Sequence, residues 1–224
     1  MCFSATASFT TGAMLIPLGM YCLKDSLSWN KNYIGFAAFP LAFGIQQLLE
    51  GFIWQYLDND LDPHLPAHGF LFFSHFFWLF WVPFAALLVE TREVKKKVLT
   101  GCLLIGFIFG VSMFLPFVLY DNWVSVSILN HSIIYKVNLI YDQFMTRQII
   151  QFLYILIVVF PLLFSSLKVI NYFGILILLS ILMTSYYFEY AFVSVWCYFS
   201  AVLSAYLFFV IYQGKKLSSE NVYN

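Results

Sequence analysis

Charged residues are scarce in this 224-residue chain, at 10%, and only 4 cysteines are present. A soluble domain carries about 25% charged residues, so this composition excludes an ordinary water-soluble fold. The 11 basic and 11 acidic residues balance to zero formal charge, and the absence of a basic patch argues against a nucleic-acid partner. The cysteines form no CxxC pair, so neither a disulfide framework nor a zinc knuckle is indicated.

The chain also lacks the short motifs of several enzyme and receptor classes. No GxGxxG loop, Walker motif, HExxH or GxSxG sequence is present. A retinal protein is excluded because the last apolar segment has no lysine before Lys215. The absence of DRY-like and NPxxY-like motifs disfavours a G-protein-coupled receptor, and the absence of an internal repeat disfavours an inverted-repeat transporter.

Hydrophobic residues dominate instead, at 62% of the chain. A spanning helix needs about 20 mostly apolar residues, and the pattern predicts an all-α bundle of seven such helices. We expect one transmembrane domain over 1–213 and a polar cytoplasmic tail over 214–224. The first helix lacks a preceding basic residue and a small-x-small cleavage site, which favours a retained helix over a signal peptide. The predicted spans are 4–23, 33–56, 69–89, 98–120, 145–165, 170–188 and 190–212.

Basic residues divide unequally between the two sides of such a bundle. Seven spans place nine of them on the side of the C-terminus, whereas only Lys136 and Arg147 fall on the other side. The nine are Lys24, Lys31, Arg92, Lys95, Lys96, Lys97, Lys168, Lys215 and Lys216. Because basic loops stay in the cytoplasm, this split predicts a multi-pass protein of the cell membrane with its N-terminus outside and its C-terminus in the cytoplasm.

The longest outer loop, residues 121–143, alternates apolar and polar residues around the turn-prone Asn130-His131-Ser132. This pattern predicts a short β-hairpin over the outer mouth of the bundle, between the fourth and fifth helices. A disordered loop is the alternative.

Polar residues at membrane depth are costly and therefore informative. In the second helix, Gln47, Glu50 and Trp54 are spaced i, i+3 and i+7, so they share one face. In the fifth helix, Arg147 and Gln151 are spaced i and i+4, and Arg147 is a natural partner for Glu50, Glu189 or an anionic ligand. The structural alternatives are a hydrogen-bond knot between helices and snorkelling of the arginine to the interface.

The remaining candidates are histidines and small polar residues. His75 lies in a Phe-rich stretch of the third helix, and His68 precedes it on roughly the same face. Cys197 in the seventh helix and Ser4 and Ser8 in the first have close helix packing as their alternative explanation. His75 is equally compatible with a hydrogen-bonded core histidine.

With the predicted topology, these residues all fall in the outer half of the bundle. Scattered structural contacts would not be expected to sort to one leaflet, so we predict an outward-facing polar pocket roofed by the hairpin. Its predicted lining is Ser4, Ser8, Gln47, Glu50, Trp54, His75, Arg147, Gln151 and Cys197. His68, His75 and Glu50 are the candidate metal ligands, and zinc is the metal that suits them.

Three blocks resemble a bacterial family of integral membrane proteins of unknown function. They are MCFSATASFTTG at the start, FGIQQLLEGFIW in the second helix and VWCYFSA in the seventh. The resemblance implies a seven-helix membrane protein of the bacterial inner membrane and supplies no activity. It singles out the matched positions Cys2, Ser4, Gln47, Glu50, Trp54 and Cys197.

Three functions fit these observations. The first is a receptor or binding protein for a small or lipid-like ligand, because aromatic walls with a few polar groups suit a ligand site. The second is a membrane-embedded, zinc-dependent hydrolase of a lipid amide or ester, similar in fold to alkaline ceramidases and adiponectin receptors. Those proteins place an HxxxH pair in the last helix, where this chain has no histidine. The third is a transporter, for which the inner half looks too apolar; a structural or assembly role is also open.

Overall fold

The computed structural model of the chain describes residues 4–220, apart from the side chains of residues 121 and 217–220. Within that range, seven helical segments are long and apolar enough to cross a membrane, which confirms the predicted span count. We number them span 1 to span 7: Ala5–Trp29, Lys31–Asp58, His64–Val89, Glu93–Leu119, Arg147–Phe164, Lys168–Tyr187 and Glu189–Lys216.

Three of the spans are built from more than one helix. Span 2 begins with a 3-10 turn, span 3 contains a π-helical turn at Phe73–Phe77, and span 7 begins with a 3-10 turn at Glu189–Ala191. In chain order the helices are α1 (Ala5–Trp29), α2 (Ile34–Ala37), α3 (Phe39–Asp58), α4 (His64–Phe72), α5 (Trp78–Val89), α6 (Glu93–Leu119), α7 (Arg147–Phe164), α8 (Lys168–Tyr187), α9 (Phe192–Ser204) and α10 (Tyr206–Glu220).

An aromatic layer crosses the middle of the bundle. Phe43 and Trp78 stack with ring centroids 3.8 Å apart, and Phe39 contacts both Trp78 and Phe173. Helices α5 and α6 approach closely because Gly106 has no Cβ, which would collide with the carbonyl oxygen of Leu79. The large rings therefore join spans 2, 3 and 6, and Gly106 allows spans 3 and 4 to pack closely.

The predicted β-hairpin is present between spans 4 and 5. Strands β1 (Val124–Leu129) and β2 (Ser132–Val137) pair antiparallel. The two turn residues, Asn130 and His131, have φ of 48° and 56°, the left-handed conformation that two-residue hairpin turns require. Asparagine tolerates this conformation better than most residues, which explains why the sequence signal was reliable.

The hairpin is packed into one end of the bundle. Ile133 is fully buried beside Trp54 and Cys197. Tyr135 stacks on Phe70, with ring centroids 4.7 Å apart. We call this the hairpin end.

The opposite end, which we call the basic end, comprises residues 24–31, 90–97, 164–171 and 213–216. The Glu90 carboxylate accepts hydrogen bonds from the backbone N–H groups of Thr91, Arg92 and Ser166 at 2.9–3.0 Å. Burial alone would raise the pKa of Glu90, but these donors lower it below its usual value.

Two lysines complete the ties at the basic end. Lys95 donates to the carbonyl oxygen of Phe164 at 2.6 Å, and Lys215 pairs with the buried Asp25 at 2.7 Å. Glu90, Lys95 and the Asp25–Lys215 pair therefore each fasten one loop or span to another.

Candidate functional site

A cavity of about 270 Å³ lies near the hairpin end, between spans 3, 5 and 7. Its polar lining residues are Ser74, His75, Arg147, Gln148, Gln151, Tyr154, Glu189 and Cys197. Its apolar lining residues are Met113, Leu139, Ile150, Phe192, Val193 and Trp196. This volume lies just below the range of about 300–1,000 Å³ that is typical of ligand pockets.

Span 5 contributes one face of α7 to the cavity. Arg147, Gln151 and Tyr154 are spaced i, i+4 and i+7, so they follow one another down the same side of the helix. Arg147 stands at the helix start, and each further turn lies about 5.4 Å deeper. The face therefore runs from a cation at the mouth to a buried phenol at the floor.

Arg147 also holds the base of the hairpin. Its Nη2 donates to the Val137 carbonyl oxygen and to Asp142 Oδ2, both at 2.6 Å. The same Asp142 oxygen accepts from the Leu139 backbone N–H at 2.8 Å. Asp142 is thus the observed partner of Arg147, whereas Glu50, Glu189 or an anionic ligand was expected. Because Nη2 makes both bonds, the guanidinium keeps further N–H groups for the cavity.

Span 3 contributes His75 from its π-helical turn. Its Nδ1 lies 2.9 Å from the Ser74 hydroxyl, and its ring packs edge-on against Phe117. A π-helical turn inserts one residue into a helix and often occurs at functional sites. Here it places the adjacent Ser74 and His75 on the same cavity wall.

Span 7 supplies the aromatic wall. Trp196 contacts Tyr154 edge-on at a centroid separation of 5.5 Å and Phe192 at 5.6 Å. Glu189 precedes these rings at the start of the span and is exposed. Among the described residues, the ion-pair partner of Arg147 is Asp142 and not Glu189, so Arg147 and Glu189 line the cavity as opposite charges that are not paired with each other.

Glu50 does not line the cavity. Its carboxylate accepts from the Ser194 hydroxyl at 2.5 Å and from the Gln47 amide nitrogen at 3.1 Å. Both predicted residues are buried, and their bonds form the interhelical knot that was the alternative explanation. The Tyr135 hydroxyl belongs to the same region, where burial and the nearby Glu50 raise the pKa of this tyrosine.

The other predicted pocket residues lie away from the cavity. Trp54 packs in a small core with Ile53 and Phe70, and Ser8 is buried on α1. Ser4 caps α1 by accepting a hydrogen bond from the Ala7 backbone N–H at 3.3 Å. Cys2 lies outside the described residues. Of the nine predicted lining residues, His75, Arg147, Gln151 and Cys197 line this cavity.

The predicted metal ligands are not brought together. His68 Nδ1 lies 2.8 Å from the His64 carbonyl oxygen and Nε2 lies 3.0 Å from that of Phe117. The Glu50 oxygens are occupied by Ser194 and Gln47. Across residues 4–220, no three His, Cys, Asp or Glu side chains are grouped so that they could hold a metal ion.

Two residues that line the cavity, Tyr154 and Trp196, were not among the predicted pocket residues, although the sequence pattern pointed to each of them. Tyr154 follows Arg147 and Gln151 at helical spacing, and this face was read only as far as Gln151. Trp196 directly precedes Cys197 in the seventh span, but only Cys197 was predicted to line the pocket. Ser74 carried no independent signal, because only the π-helical turn brings it to the wall beside His75.

Seven helical segments that are long and apolar enough to cross a membrane place this chain among multi-pass membrane proteins, and a cavity with several polar lining residues lies near one end of the bundle. The chain belongs to a family of unknown function (DUF6629), whose pattern matches residues 1–221. No curated protein matches the chain, and no solved structure does. The likeness to ceramidases and adiponectin receptors gains no support from these comparisons.

Proposed function

We propose that this protein binds a small or lipid-like ligand in the cavity between spans 3, 5 and 7, in a receptor or binding role. The observation that carries the proposal is the convergence of His75, Arg147, Gln151 and Cys197, from three separate spans, on one cavity. A few polar groups on a mostly aromatic and aliphatic wall are typical of small-molecule sites.

Binding is favoured over transport by what lies beneath the cavity. Trp196 and Cys197 form part of its wall, and they also border a small void of about 30 Å³. The other side of that void is the aromatic layer of Phe39, Phe43 and Trp78. The stacked rings offer a passing polar solute no hydrogen bonds, and Ser200 is the one hydroxyl side chain among the described residues that lines the void with them.

The hydrolase alternative loses its main support, because His68, His75 and Glu50 are engaged separately. The proposed orientation places the hairpin end outside and the basic end in the cytoplasm, as the distribution of basic residues favours. The proposed location is the bacterial inner membrane, which rests on the sequence resemblance.

Native mass spectrometry of the purified protein tests the binding proposal. We expect the wild-type chain to carry a bound molecule that is lost in Val193→Phe, because a phenyl ring at this lining position fills the cavity. The matched control is Val202→Phe, on the exposed face of the same helix, which should retain the molecule. Identical bound species in all three proteins, or none in any of them, would overturn the proposal.

Orientation is tested by labelling intact cells with a membrane-impermeant maleimide, in a chain whose native cysteines are replaced by serine. Lys136→Cys on the hairpin should react from outside, whereas Lys97→Cys at the basic end should not. The reverse pattern would invert the proposed topology.

A further inference from the structure

We propose that the cavity recognises a zwitterion: a ligand, free or part of a lipid headgroup, with an ammonium group and a carboxylate or phosphate group. This inference rests on the proposed binding function and names the ligand class. Its starting point is the pair of opposite charges at the mouth, Arg147 and Glu189, which line the same cavity without pairing with each other.

The anionic half of such a ligand has its donors on α7. The Arg147 guanidinium uses Nη2 for Val137 and Asp142, so its other N–H groups can bind a carboxylate or phosphate in two-point fashion. Gln148 and Gln151 also line the cavity and add amide donors. Asp142 keeps the arginine fixed in place.

The cationic half has its partners on span 7 and the facing tyrosine. Trp196 contacts both Phe192 and Tyr154, and all three rings line the cavity. Aromatic faces attract ammonium groups, and quaternary ammonium ions are often bound by clusters of such rings. Glu189 lies one helical turn before Phe192, so its carboxylate supplies negative charge next to the first ring.

The two halves line one cavity of about 270 Å³. Arg147 and Glu189 both begin their spans at the hairpin end. Gln151 and Phe192 lie one turn further in, and Tyr154 and Trp196 lie two turns in, about 10 Å along the helix axis. A small zwitterion lying between α7 and α9 can therefore place its anionic end near Arg147 and its ammonium group near Phe192, about one turn further in, and a longer headgroup can reach Trp196.

Matched probes separate this proposal from binding of any small molecule. Glycine betaine carries a trimethylammonium group and a carboxylate, and 3,3-dimethylbutanoate is the same shape without the positive charge. Equilibrium dialysis would use the full chain in discs of phosphatidylglycerol, so that no zwitterionic lipid competes. A second arm compares dihexanoylphosphatidylcholine with dihexanoylphosphatidylglycerol, to distinguish a free ligand from a lipid headgroup.

In one pair of probes or both, we expect the zwitterion to bind at least about 10-fold more tightly than the matched probe that lacks the ammonium group. The pair with the tighter binding shows whether the ligand is a free molecule or a lipid headgroup. Glu189→Gln should weaken zwitterion binding about 10-fold and change 3,3-dimethylbutanoate binding by less than about twofold. Arg147→Gln should weaken the binding of both the zwitterion and 3,3-dimethylbutanoate. Arg147→Lys keeps the positive charge but not the two bonds to the hairpin base, so it should retain part of the affinity. Glu93→Gln, at an exposed glutamate of the basic end, is the matched control.

Equal binding of the paired probes in both arms, with a loss in Val193→Phe, would overturn the zwitterion and leave the binding function standing. Failure of every probe to bind, while native mass spectrometry still finds a molecule lost in Val193→Phe, would likewise overturn only the ligand class. Failure of both measurements would overturn the binding function itself.

Discussion

The two ends of the bundle use polar side chains differently. At the basic end, Glu90 binds three backbone N–H groups, and Lys95 and Lys215 each bind another part of the chain. At the hairpin end, Arg147 and Gln151 border a cavity and keep hydrogen-bonding capacity to spare. Polar residues inside an apolar bundle can therefore either tie two parts of the chain together or line a cavity, and their hydrogen-bond partners show which of the two applies.

The largest effect on this comparison should come from Glu90→Ala. Three backbone N–H groups lose a charged acceptor, so we expect the free energy of unfolding to fall by about 3 kcal/mol, while ligand binding stays unchanged. Thermal unfolding in mild detergent measures this. The control is Glu93→Ala, whose exposed pair with Lys96 should contribute less than about 1 kcal/mol. Equal stability of both variants would contradict the structural role of Glu90.

Acidification should also lower the free energy of unfolding through Glu90, by less than Glu90→Ala does. Backbone donors lower the pKa of Glu90 in the folded protein, so its carboxylate stabilises the fold above the unfolded pKa of about 4.3. This stabilisation is lost as the pH falls through the folded pKa. Melting temperatures between about pH 6 and 3 should therefore fall less for Glu90→Gln than for the wild type. Parallel curves would show that Glu90 contributes nothing pH-dependent.

At the hairpin end, Gln151→Leu should change binding without changing stability. The variant removes one hydrogen-bonding group from the cavity wall, worth about 1 kcal/mol, so glycine betaine should bind about fivefold more weakly. Equilibrium dialysis gives the affinity and thermal unfolding gives the stability. Gln55→Leu, at an exposed position of α3, should leave the affinity unchanged. A drop in melting temperature with unchanged affinity would make Gln151 a structural residue.

The smallest effect should come from the hairpin turn. His131 has a φ of 56°, which glycine adopts without strain, so His131→Gly should raise the free energy of unfolding by about 0.5–1 kcal/mol. Ser127→Gly, in the middle of β1, should have the opposite sign because glycine weakens a strand. Thermal unfolding of both variants shows whether the free energy of unfolding rises in one and falls in the other. Destabilisation by His131→Gly would contradict the turn assignment.

The sequence predicted the architecture well, because bilayer thickness and turn chemistry are local constraints. The seven apolar runs correspond to the seven spans, and Asn130 with its neighbours predicted the hairpin. The π-helical turn at Phe73–Phe77 was not predictable, since nothing in the sequence FSHFF marks the extra residue.

The candidate site was predicted less completely, for a related reason. Helical spacing placed Arg147 and Gln151 on one face, and both line the cavity. The same spacing could not show that Ser194 would engage Glu50, because partners on another helix depend on rotation and depth. Residues with similar sequence signals therefore divided between the knot and the cavity wall.

One measurement tests the contrast between the two ends most directly: the melting temperature of the wild type, Glu90→Gln and Glu189→Gln, each with and without saturating glycine betaine. A ligand that binds only the folded state raises the melting temperature. The account predicts that Glu90→Gln starts lower but shows the wild-type increase, whereas Glu189→Gln starts at the wild-type temperature and shows a much smaller increase. Equal increases in wild type and Glu189→Gln, or loss of the increase in Glu90→Gln, would contradict it.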